Sequence, residues 1–235
     1  PERTARDCWG GEAWLQVDSI YTYGSVVPAA RAARARGGTM PFFFIEGQYE
    51  NDYIEGRYQA GQVGDERRIR AQAYQSLLSG ATGHVFGNNP IWHFDGPGLY
   101  PAPASWRRAL ASRGAQSMSH LRNLFAARRW WTLEPDSGIS ALTSGHGSGQ
   151  DRAVAAVAAD RSFAIAYMPT NRTITVDLAS LAGPRTAARW YDPAGGDFHA
   201  VTGSPFPTQG ERAFYPPSHN SSGFGDWVLV LESVP

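Results

Sequence analysis

Lysine is absent from this chain, cysteine occurs once, and the 21 basic side chains balance 21 acidic ones. A lone Cys8 rules out an internal disulfide and any metal site built from several thiolates. Zero net charge argues against a nucleic-acid partner held on a broad basic face. No apolar run approaches the roughly 20 residues that a membrane-spanning helix needs, so no membrane partner is expected. The six histidines are scattered, with none paired at i, i+4, which argues against a zinc hydrolase. There is no Gly-x-Ser-x-Gly elbow for serine hydrolysis and no glycine-rich phosphate loop opening a helix. Neither a cofactor nor a metal is therefore expected. The arginines that replace lysine are spread along the chain and read as codon bias. The chain starts at Pro1 without an initiator methionine or a signal-like apolar segment, so its address is not legible here.

Aromatic residues, by contrast, are plentiful. Eight tryptophans, ten tyrosines and eleven phenylalanines accompany 26 glycines and 16 prolines. Flat apolar rings stack on the C–H faces of sugars and turn-rich loops hold them, although many all-β folds share this composition.

The first half alternates strand-like and helix-like segments. Ala13–Ile20 reads as a strand, Val26–Ala35 as a helix stopped by Gly37 and Gly38, and Pro41–Ile45 as a strand buried on both faces. A helix from Asp65, as N-cap, to Leu78 follows, then a short strand at Gly83–Phe86 and a helix over Ser105–Arg128. Strand–helix repetition implies parallel strands with crossover helices. After Trp131 the pattern changes to short alternating segments at Ala153–Ala158, Phe163–Met168, Thr173–Leu178, Ala187–Tyr191 and Trp227–Leu231, separated by turns. That spacing suggests an antiparallel β-sandwich over residues 137–235, preceded by an α/β domain over residues 1–133.

Three segments can carry chemistry. In Phe42–Asn51 an apolar strand ends in Glu46-Gly47, which puts a carboxylate at the C-terminal mouth of a parallel sheet, where barrel enzymes keep their active sites. Framed by Phe44 and Tyr49, Glu46 can act as nucleophile or base in glycoside hydrolysis, or can instead salt-bridge Arg70 of the next helix. Glu50 and Asp52 either grip sugar hydroxyls or stand as solvated loop charges. In Gly83–Phe94 the chain passes through Asn88, Asn89 and Pro90 to Trp92. Trp92 is a stacking platform or a plug for the mouth, and the asparagines are donors to hydroxyls. His84 reads as a core histidine. In Val17–Gly24, Tyr21 and Tyr23 would face the same mouth, whereas Asp18 lies deeper.

At these residues the sequence resembles a known family. The runs FFFIEGQYEN and RAQAYQSLLSGATGHVFGNNPIWHF (Arg70–Phe94) resemble the apiosidase-like barrel domain typified by glycoside hydrolase family 140. The runs FAIAYMPTNRTITVDLASLAG, ARWYDPAGG and DWVLVLE resemble the collagen-binding-type β-sandwich domain that follows it. The resemblance implies a retaining glycosidase with two catalytic carboxylates, the nucleophile after strand seven and the acid/base after strand four of a (β/α)8 TIM barrel. Counting back from Gly83–Phe86 as strand eight gives strands six to eight and places Glu46 at the nucleophile position. Tyr23, Tyr49, Glu50, Asn88, Asn89 and Trp92 are the expected substrate contacts, and the substrate is a carbohydrate. Because a barrel takes about 250 residues, strands one to five and the acid/base are expected in a missing N-terminal half, and the chain is expected to be a fragment or a non-catalytic binder. A secreted or periplasmic location is the family expectation. In the second domain, Trp190, Tyr191 and Tyr215 are candidate sugar contacts.

Overall fold

A computed structural model describes residues 4–53, 63–94, 96–98, 101–102, 104–136 and 141–235. The chain divides into two units, residues 1–77 with 81–119 and residues 78–80 with 120–235.

The first unit is organised by one parallel strand pair. β1 (Asp18–Tyr21) runs beside β2 (Phe42–Glu46), with Ile20 opposite Phe44, and the register then slips so that Tyr21 lies opposite Glu46 rather than Ile45. Side chains alternate across a strand, so Ile20, Phe42 and Phe44 are buried together while Ile45 is 43% exposed. Two helices accompany the pair. α2 (Val26–Ala35) buries Val26, Val27, Ala30 and Ala33, a spacing of one helical face. α3 (Glu66–Leu77) starts at Asp65, whose carboxylate accepts from the Arg68 amide at 2.8 Å. A short helix, α1 (Ala5–Trp9), precedes β1 and is closed by a capping box between Thr4 and Asp7. α2 and α3 lie within a residue of their expected bounds, because caps and periodicity mark them.

Three expectations are corrected here. Residues 13–17 are not strand: turn bonds such as Leu15 N–H to Glu12 C=O hold them. The segment Gly83–Phe86 contributes a single parallel bridge, His84 to Phe44, because only the Gly83 and Val85 backbones bond to Phe44 before the chain departs. The helix expected over Ser105–Arg128 is two helices, α4 (Trp106–Ala109) and α5 (Arg113–Ala126). The break is at Ser112, whose hydroxyl accepts from the Ala115 amide at 3.2 Å and so caps α5 from outside.

The second unit consists of antiparallel strands: β3 (Leu133–Pro135), β4 (Leu142–Ser144), β5 (Val154–Ala158), β6 (Phe163–Met168), β7 (Ile174–Asp177), β8 (Arg185–Tyr191), β9 (Phe198–Ala200), β10 (Phe206–Pro207), β11 (Glu211–Phe214) and β12 (Trp227–Val234). One sheet has the order β10-β8-β12-β6-β5-β3, with β9 against β8, and a second has the order β11-β7-β4. Residues of both sheets share one core: Leu142, Ile174 and Phe214 from the smaller meet Met168, Trp190, Trp227 and Leu229 from the larger. The five strongly apolar segments read from the sequence appear as strands. The unforeseen ones, β3, β4, β9, β10 and β11, have two to four residues each, too few for alternation to show.

Trp227 is 1% exposed and among the largest fully buried side chains. Trp227→Ala is expected to destabilise the second unit by about 3–5 kcal/mol, read as a lower urea midpoint by far-UV circular dichroism.

Candidate active site

Glu46 is placed by a clamp that works on the backbone around it. The residue after it, Gly47, admits no side chain, because a Cβ there would lie 2.3 Å from the Phe44 ring and 2.6 Å from the Gln72 amide oxygen. That oxygen, on α3, accepts from the Gln48 backbone amide at 2.8 Å. The same side chain donates to the backbone carbonyls of Thr22 and Gly24 at 3.3 and 2.9 Å. One buried amide therefore joins the exits of β1 and β2 and fixes both Glu46 and Tyr23.

The Glu46 carboxylate is half-buried and accepts a hydrogen bond from the Tyr23 hydroxyl at 2.9 Å. Tyr21 packs edge-on against Tyr23, with ring centroids 5.3 Å apart. Burial pushes the Tyr23 phenol up, reinforced by hydrogen bonding to Tyr21 and Glu46. Burial raises Tyr49 as well, with the Glu46 charge and hydrogen bond adding to it. Both phenols therefore remain protonated donors, and the carboxylate faces neutral hydroxyls. No arginine pairs with it among the described residues; Arg70, the partner weighed from sequence, is wholly buried and donates to Ser117 at 3.2 Å. The Tyr49 ring lies flat on Gly87, where a Cβ would come within 2.4 Å of it.

Glu50 has a different environment. It is 5% exposed, and its carboxylate accepts from Asn88 at 2.8 Å, from the Ser112 hydroxyl at 2.5 Å and from the Gly114 amide at 2.8 Å. The last two partners open α5, so the anion sits on a helix N-terminus. Desolvation raises the Glu50 carboxyl above the ordinary glutamate range, opposed by the bonds to Ser112, Gly114 and Asn88. Asn88 is used up as well, since it also donates to Ser112 and accepts from Asn51. Asn89, fully buried, donates to the Asn51 and Pro101 carbonyls, and its oxygen faces the His93 ring at 3.0 Å. These three polar side chains hold loops together rather than presenting free groups to a ligand.

Trp92 follows on a 3-10 turn, 40% exposed, its ring edge-on to His93 at 4.7 Å. No contact joins Trp92 to Glu46 among the described residues. The structure thus brings Glu46, Tyr23 and Tyr49 together and gathers Glu50 with Asn88 into a separate buried network. Asp18 lies in the opposite, buried part of the strand pair, accepting from the Arg6 amide and ion-paired to Arg36 at 3.7 Å. Burial pushes the His84 imidazole down to about 4, which keeps it neutral, and its ring lies 5.5 Å from that of Phe44; the side chain is half-buried rather than in the core. Sequence reasoning missed Gln72, Ser112 and Gly114. Gln72 carried one signal, a polar residue on the helix face that Ile69 and Ala73 mark as buried.

Residues 1–132 match the model of the family described as "Apiosidase-like, catalytic domain", and residues 135–232 match that described as "Putative collagen-binding domain of a collagenase". Among solved structures, a glycoside hydrolase family 5 protein from Bacteroides vulgatus ATCC 8482 superposes with a TM-score of 0.85 at 23% identity, covering 98% of this chain and 53% of its own. A second, titled simply "Glycoside hydrolase", gives a TM-score of 0.85 at 24% identity, covering 98% of this chain and 55% of its own. The chain thus spans about half the length of these structures, and at such identities the likeness is one of fold. No curated protein is significantly similar to it.

Two outcomes are expected of the clamps. Gln72→Leu strands two carbonyls and one amide and should lower stability by about 1–3 kcal/mol, measured as a shift in urea midpoint. Glu50 has a raised carboxyl pKa, so the stability it contributes is fully present below the unfolded value near 4.5 and is lost as pH rises through the raised folded value. The stability difference between wild type and Glu50→Gln should therefore fall as pH is raised from 4 to 7. A difference that grows with pH would mean that the hydrogen bonds outweigh desolvation.

Proposed function

Because the chain belongs to the apiosidase-like catalytic-domain family, we propose that it forms the C-terminal part of a retaining glycoside hydrolase acting on carbohydrate side chains, with Glu46 as nucleophile. The observation that carries the reading is a strand-end carboxylate that accepts from the Tyr23 hydroxyl and is free of any cation among the described residues. An ion-paired carboxylate would be a poor nucleophile; one facing neutral donors keeps a lone pair for an anomeric carbon. Tyr23 donates to one oxygen and steadies the carboxylate, leaving the other for attack. In this mechanism Glu46 forms a glycosyl-enzyme ester, which water then hydrolyses with net retention at the anomeric centre.

The parallel pair β1–β2 and the bridge at His84 fit strands six, seven and eight of a (β/α)8 barrel, with the second unit as its accompanying β-sandwich. Retention needs a second carboxyl group roughly 5 Å from the first. Glu50 is a poor candidate for it, since its oxygens are occupied by Asn88, Ser112 and Gly114. The acid/base is assigned instead to earlier barrel strands outside this chain, which would also cover the exposed Ile45 and Val85. Trp92, through its exposed ring, is the candidate stacking platform, and a location outside the cytoplasm is proposed on the family resemblance.

A second reading, a carbohydrate-binding protein without turnover, is favoured by the same half-length coverage of its structural neighbours. Incubating the chain and Glu46→Gln with apiose-, arabinose- and rhamnose-containing oligosaccharides separates the two. Sugar release with retained configuration, reduced by about a thousandfold or more in the variant, supports the nucleophile. Equal release by both proteins removes Glu46 from the mechanism. Binding by both without release fits the second reading and equally an acid/base outside this chain. Covalent labelling of wild type but not of Glu46→Gln by a 2-fluoro glycosyl fluoride, whose leaving group needs no general acid, then supports the nucleophile, and no labelling of either favours the second reading.

A further inference from the structure

The second unit contains a cleft of about 450 Å3, within the range of small-ligand sites. Its wall is aromatic: Trp190, Phe206 and Phe214 are buried core residues that line it, and Tyr215, 72% exposed, lines it too, followed by Pro216. One charged side chain enters this lining, the guanidinium of Arg212 on the edge strand β11. Its Cζ lies 3.5 Å from the centroid of the Phe206 ring, so the cation sits over an aromatic face. No carboxylate pairs with Arg212 among the described residues. The neighbouring Glu211 sits opposite Asp177 in the strand register and does not line the cleft.

A guanidinium held over a ring keeps N–H groups for hydrogen bonding, and its fork matches a carboxylate with two parallel bonds. The ring contact also fixes the side chain in advance, so less rotamer freedom is lost on binding. An exposed phenol ring beside it offers an apolar plane for the C–H face of a pyranose, with its hydroxyl left in water. We propose that this cleft binds a carboxylated sugar, a uronate unit within a polysaccharide, with Tyr215 stacking on the ring and Arg212 pairing with the carboxylate. The site belongs to the second unit alone and does not depend on Glu46 or on turnover. It would hold an acidic polymer close to the enzyme.

The test is isothermal titration of the full chain with a galacturonate tetramer, its fully methyl-esterified form and a neutral xylose tetramer. Binding of the acid form should weaken by about tenfold or more on esterification and in Arg212→Gln, and should fall with salt. Arg212→Lys should recover part of the loss, and Tyr215→Ala should weaken all pyranosides alike. Far-UV circular dichroism of each variant checks the fold, and Arg212 and Tyr215 are exposed, so folding should survive. Equal binding of acid and ester, unchanged binding in Arg212→Gln, absence of binding to the acid, or loss of binding in Glu46→Gln but not in Arg212→Gln would each overturn the proposal. So would a proline-rich peptide that binds the cleft in place of the acidic sugar.

Discussion

A carboxylate taken out of water must be met by donors, and Glu50 is the point at which the first unit satisfies that requirement. Its oxygens collect an asparagine amide, a serine hydroxyl and a backbone amide from two other parts of the chain. Its backbone is paired too, donating to Gly87 and accepting from Asn89. The loop after β2, the Asn88–Asn89 turn and the start of α5 are thereby fixed to one another, and breaking any partner leaves a buried charge unsatisfied. Gly114 is part of the same constraint, since a Cβ there would sit 2.4 Å from the carboxylate. The sharp start of α5 follows from this demand rather than from helix propensity.

Four residues before Glu50, the other carboxylate shows what changes when the donors are sparse. Glu46 meets tyrosine hydroxyls and solvent, and its position is held through the backbone by Gln72 rather than through its own oxygens. One glutamate is held through its own oxygens; the other is held from behind, through the backbone. The division is a matter of wiring, because the two share a residue type and lie four residues apart.

How much of this was legible in the sequence follows from the length of each pattern. Val26–Ala35 carries a full apolar face and a glycine stop, and Phe163–Met168 is continuous and apolar, so both were read correctly to the residue. Gly83–Phe86 looks like a strand by composition, yet whether four residues make a ladder is decided by what lies beside them, and that is tertiary information. The same holds for the site. That Glu46 and Tyr23 lie side by side could be read, because a strand end projects side chains to one mouth. That Asn88 and Asn89 face inward could not be read, since an asparagine suits a ligand's hydroxyl and a neighbour's carbonyl equally well.

The slip in pairing between Ile20 and Tyr21 carries a consequence for how this protein can change. Without it, Tyr21 would lie beside Ile45 instead of Glu46. The phase of the tyrosines against the carboxylate is thus stored as a count of residues, not as the identity of any one of them. A substitution along β1 or β2 leaves this phase unchanged, but an insertion or deletion between Ile20 and Tyr23 shifts every later partner at once. The mouth of this sheet is therefore bound by its length as strictly as by its composition.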